Sequence, residues 1–78
     1  MLKDHYLMQD MDKVLEHIEN IMNASVNALK AAETANDDLA TDASFQITYS
    51  LGELTAYHRK KKRKDAEHTL HGSLIKKG

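Results

Sequence analysis

Six consecutive cations, Arg59, Lys60, Lys61, Lys62, Arg63 and Lys64, give this chain its clearest opportunity for chemistry. A run of this kind repels itself and is relieved by a polyanion. Against phosphates it would release condensed counterions, giving an affinity that depends on salt and not on sequence. On a helix the six side chains radiate around the axis, so only about half can face one duplex. No aromatic residue is interleaved with them, which argues against a single-strand platform that works by base stacking. No helix-turn-helix or β-ribbon that would carry base-reading side chains is evident either. The chemistry predicted is nonspecific contact with DNA or RNA. The alternatives are a solvated end and a docking site for an acidic protein surface.

Other chemistries find less in the sequence. His68 and His71 stand three apart, with Asp65 three before His68, so one helical face could offer three zinc ligands. No fourth ligand is indicated, and the five histidines (His5, His17, His58, His68, His71) read as ordinary surface residues. We expect no metal and no cofactor. There is no cysteine nucleophile, and the three glycines Gly52, Gly72 and Gly78 form no phosphate-cradling loop. Ser44, Ser50 and His58 have no triad spacing, and a chain of this size lacks the cleft that small-molecule sites need. The expectation is a protein that is not an enzyme.

The basic run also divides the chain electrically. Residues 1–57 hold ten acidic side chains against Lys3, Lys13 and Lys30, a net of −7, whereas residues 58–78 hold eight Lys or Arg against Asp65 and Glu67, a net of +6. The formal total of −1 therefore conceals two poles. An acidic stripe formed by Asp10, Asp12, Glu16 and Glu19 could engage a basic partner, although such charges are usually the wet side of a helix.

These groups must be positioned by helices. Seventy-eight residues without a cysteine make at most one marginal domain, and a core of Leu, Ile, Met, Val and Ala suits helices packed on helices. Met8, Met11, Leu15, Ile18, Met22, Ser25, Leu29 and Ala32 follow alternating steps of three and four, an a/d heptad seam. Leu7, Val14, Ile21 and Ala28 widen it, while Asp10, Lys13, Glu16, His17, Asn20, Asn23, Asn27 and Lys30 form the opposite, polar face. This pattern predicts a helix over about residues 3–34. The methionines of the seam read as core or dimer contacts before they read as an adaptable binding surface.

Residues 34–38 predict a turn, with Asn36 in the left-handed conformation and Asp37 or Asp38 as the next N-cap. A second stripe then runs through Ala40, Ala43, Ile47, Ser50 or Leu51, Leu54 and Tyr57. Phe45, Ile47, Tyr49 and Leu51 also alternate as a strand would, but no other stretch offers such a strand a partner. The stripe reads as helix, extended by the basic run and ended by Gly72, with Ser73 to Gly78 a frayed tail, although Leu70, Leu74 and Ile75 could pack weakly. A single long rod is the competing topology.

The predicted fold is all-α: an antiparallel two-helix hairpin over residues 1–57 that dimerises into a four-helix bundle, with a basic helix extension and tail over residues 58–78. The predicted oligomer interface comprises Met8, Met11, Leu15, Ile18, Met22, Leu29, Ile47, Leu51 and Leu54. The polar start of the chain shows no secretory signal and no stretch is apolar enough to span a membrane, so a cytoplasmic location with no membrane partner is expected. The predicted function is that of a small regulatory or accessory protein, of the general look of bacterial or phage accessory proteins, contacting nucleic acid through its basic end. The alternative is an adaptor or inhibitor that engages a protein through a helical face.

Overall fold

Each apolar stripe forms a helix, and a two-residue turn folds one helix back on the other. A computed structural model describes residues 2–77, and the side chains of residues 2–67. Helix α1 spans Met11–Thr34 and helix α2 spans Asp37–Lys77. The alternating segment around Phe45 to Leu51 is helical, since a strand with no partner would leave its backbone groups unpaired. The chain is an antiparallel helical hairpin, and its extents are 65 × 16 × 15 Å.

The turn lies one residue earlier than its sequence suggests. Ala35, not Asn36, takes the left-handed conformation (φ 52°, ψ 42°), and its amide closes on the Ala31 carbonyl. The Asn36 amide reaches the same carbonyl. Asn36 serves instead as the N-cap of α2: its Oδ1 accepts from the Leu39 amide at 3.0 Å, satisfying one of the free donors of the first turn. Asp37 and Asp38 occupy that first turn, where their charge favours the positive end of the helix dipole.

The contact row of α1 is a larger correction. Val14, Ala24 and Ala31 are buried against α2, where Ala43, Ser50 and Leu54 meet them. At about 100° per residue, Asp10, His17, Ala24 and Ala31 form one row, with Val14, Ile21 and Ala28 beside it. Asp10 is buried and His17 and Asn20 are half-buried, so part of the expected wet face is the packing face. Small residues explain this, because Ala24, Ala31, Ala43 and Ser50 let two backbones approach closely. On α2 the stripe falls as expected from Ala43 to Tyr57, with Ser50 inside and Leu51 outside, whereas Ala40 is exposed.

Helix α1 is also shorter than the predicted helix. Leu7 is extended (φ −68°, ψ 144°) and separates two 3-10 turns, Leu2–Asp4 and Met8–Asp10, one on either side of it, the second leading into α1. The break lets the amino-terminal residues fold across α2. The His5 and Tyr6 rings meet His58 edge-on at centroid distances of 5.9 and 6.2 Å, and His58 Nδ1 lies 3.2 Å from the His5 carbonyl oxygen. Helix α2 passes through Gly52 and Gly72 to Lys77. Glycine costs a helix about 1 kcal/mol relative to alanine and does not by itself end one. The expected packing of Leu70, Leu74 and Ile75 lies outside the described side chains.

Candidate nucleic-acid interface and open apolar face

The basic run sits where α2 leaves the cover of α1. Helix α2 has 41 residues and α1 has 24, a difference of about 25 Å at 1.5 Å per residue. The six cations do not behave alike. Lys60 Nζ donates to Asp10 Oδ1 at 3.1 Å, and Lys61 Nζ donates to both Asp65 oxygens at 2.8 Å. These two lysines are half-buried, and Arg59, Lys62, Arg63 and Lys64 are exposed. Among the described residues, none of those four has a carboxylate partner. Arg59 and Arg63 stand four apart, on the side of α2 that faces away from α1, with Lys62 at their flank; together with Ala56 they line a shallow indentation.

Asp10 is the one carboxylate drawn into the hairpin among the described residues. It is 7% exposed and stands at the N-cap position of α1, although its side chain caps no amide. Oδ2 finds no hydrogen-bond donor among the described residues. The positive end of α1 and the Lys60 ammonium are what hold its charge. The two residues stand fifty positions apart, and no sequence signal connects them.

A second buried polar group lies mid-hairpin. Ser50, with no exposed surface, accepts from Asn20 Nδ2 at 2.7 Å and lies 3.2 Å from His17 Nδ1. Every group is used if the hydroxyl donates to Nδ1, which assigns His17 the Nε2–H tautomer. Asn20 also reaches Gln46 Oε1 at 3.2 Å, and the His17 ring meets Tyr49 and Tyr57. The buried hydroxyl leaves no approach for a substrate. Its effect is on alignment, because sliding either helix by one turn would strand three polar groups.

These bonds place Asn20, Gln46 and Tyr49 on one flank of the hairpin. The other flank is apolar. Met8, Leu15, Met22 and Leu29 recur every seven residues along its rim and are between 49% and 75% exposed. Met11 and Ile18 form the half-buried shoulder of that row. From α2, half-buried Ile47 and exposed Leu51 project to the same side. Leu54 does not belong here, since it is buried between α1 and α2. Eight of the nine residues expected at an oligomer interface thus border one open face, and the ninth completes the hairpin core.

Of the metal candidates, His68 and His71 lie outside the described side chains, and among the described residues no three metal-ligating groups converge. Among them also, no helix is long and apolar enough to cross a membrane. The chain matches no protein-family model, no curated protein and no solved structure.

Proposed function

We propose that this is a small non-enzymatic accessory or regulatory protein that self-associates through its open apolar face and contacts nucleic-acid phosphates through its basic end. One observation carries the nucleic-acid reading: Arg59 and Arg63 are exposed, free of carboxylate partners among the described residues and on one side of a helix that projects past the rest of the fold. Guanidinium groups one helical turn apart suit a phosphate backbone, as each can donate two hydrogen bonds to one phosphate. Lys60 and Lys61 already have intramolecular partners and contribute less. Self-association is supported by the exposed rim, since Met8, Leu15, Met22 and Leu29 are between 49% and 75% exposed, and large apolar side chains in a continuous row favour a contact that covers them.

Titration of unrelated DNA and RNA duplexes across a salt series tests the phosphate reading. Replacing Arg59 and Arg63 by Gln should weaken binding to every duplex by similar factors. It should also flatten the salt slope by about 0.9 for each phosphate no longer neutralised. Absence of a complex at low salt with any DNA or RNA would overturn the reading. The exposed methionine and leucine rim would then favour the second one, a helical face that docks on another protein.

A further inference from the structure

We infer that a second copy of the chain covers the open face in antiparallel orientation, so that the acidic turn of each copy lies against the basic end of the other. The inference rests on the self-association proposed above and adds its orientation.

Charge is the first observation. Between residues 31 and 42 the hairpin end carries Glu33, Asp37, Asp38 and Asp42 with no Lys or Arg, while residues 59–64 are all cationic. A parallel pair would bring like ends together, whereas an antiparallel pair opposes unlike ones. Geometry sharpens this. Asn20 and Ser50 are hydrogen bonded, so those residues mark one level of the hairpin. A twofold axis at that level, near the middle of the apolar row, brings Asp37 of one copy level with the basic run of its partner at about 1.5 Å per residue. Asp37, Ile47, Leu51 and Lys62 all fall on the side of α2 that borders the open face.

Side-chain size is the second observation. Along the Met8–Asp10 turn and α1 the row is large at Met8, Met11, Leu15, Ile18, Met22 and Leu29 and small at Ser25 and Ala32. With the axis at Asn20, Met8 lies against Ala32 of the second copy and Leu15 against its Ser25, while Met11 meets Leu29 and Ile18 meets Met22. Large opposes small in two of these four layers, so each small residue of the row is covered by a large one. Parallel pairing of the same rows would stack Ser25 on Ser25 and Ala32 on Ala32, leaving thin layers between thick ones. Arg59 and Arg63 face away from this contact and remain available to phosphate, at opposite ends of the assembly.

Sedimentation equilibrium together with distance measurement separates the two parts. The chain has no cysteine, so Asp38→Cys carries a single spin label at the turn. Antiparallel pairing predicts label separations of about 40 Å, from about 12 residues on each side of the axis at 1.5 Å each plus the bundle width. Parallel pairing predicts less than about 25 Å. Lys62→Gln should weaken association roughly 2- to 30-fold, the range of two exposed ion pairs, and Asp37→Asn should do the same. In a parallel pair both changes would relieve repulsion and strengthen it. A chain that stays monomeric at high micromolar concentration would overturn self-association itself. A dimer with short label distances, or one tightened by Lys62→Gln, would overturn only the orientation.

Discussion

Lys60 should matter more to folding than its place in a cationic run suggests, and the reason is Asp10. The Asp10 side chain is 10% exposed and that of Lys60 is 36% exposed, with 3.1 Å between Nζ and Oδ1. Replacing Lys60 by Met keeps the aliphatic stem and removes the ammonium, leaving a carboxylate that has little access to water and no remaining side-chain donor among the described residues. Losing one partner of a fully buried pair costs about 3–5 kcal/mol. This pair opens to solvent on the lysine side, so we expect a cost of about 2 kcal/mol. The reverse deletion is milder. Without Asp10 the lysine can turn into water, and Asp10→Ala should cost about 1 kcal/mol, mainly the favourable interaction of a carboxylate with the helix N-terminus.

Urea unfolding followed by helical circular dichroism checks this, at one fixed protein concentration because the proposed self-association would shift the midpoint. The double variant should resemble Asp10→Ala alone, giving a coupling of about 1–2 kcal/mol. Against a total stability of about 4–12 kcal/mol for a chain of this length, the loss would be plain. Truncation after Tyr57 should be at least as costly, since it removes Lys60 together with the His58 ring that meets His5 and Tyr6. If Lys60→Met unfolds within about 0.5 kcal/mol of the parent, or Asp10→Ala proves the costlier change, the reasoning fails.

Four further outcomes are expected. Ile18→Asp should abolish self-association while leaving much of the helicity, because Ile18 lies on the shoulder of the open face and a charge there opposes an apolar contact; sedimentation and circular dichroism read the two separately. Ser50→Ala should cost about 1–3 kcal/mol in urea unfolding, since it deprives His17 and Asn20 of a buried partner. Ala35→Gly should stabilise by roughly 1 kcal/mol, because alanine bears the strain of φ 52° and glycine does not. Gly52→Ala should also stabilise by about 1 kcal/mol, as a Cβ there meets no atom within 4 Å; a lowered midpoint for either variant would contradict its local geometry.

Which parts of this fold are legible in the sequence follows from which interactions leave a local mark. The α2 stripe of Ala43, Ile47, Leu54 and Tyr57 repeats at steps of three, four and seven and can be read directly. The turn is readable to within one residue, because Asn36 is suited both to a left-handed turn and to an N-cap, and side-chain chemistry alone does not rank the two. The contact row of α1 is not legible. Ala24 and Ala31 carry little hydropathy, and Asp10 and His17 in the same row speak for water, yet these are the positions that bring the helices together. The Asp10–Lys60 pair and the Ser50 cluster join residues thirty to fifty apart, and no spacing rule spans that distance. Of the basic run the sequence shows the charge but not its division, which depends on the carboxylates that folding brings near Lys60 and Lys61.

The strongest apolar pattern of the chain is therefore not the one that closes the hairpin. Met8, Leu15, Met22 and Leu29 form an unbroken heptad row, while α2 packs beside it on smaller side chains. Periodicity records which positions avoid water and does not name the surface that covers them. In a chain this short the division has a physical rationale. Two helices joined by small residues approach closely but remove little apolar area, so the larger side chains stay exposed on the single chain. The polar pairs at Ser50 and Asp10 then fix the alignment of the helices, and under the proposed self-association a second copy would bury most of the exposed apolar row. Folding and association should accordingly be coupled, with an unfolding midpoint that rises with protein concentration. A midpoint independent of concentration would mean that the small-residue seam suffices alone, and the exposed row would then need a partner other than a second copy.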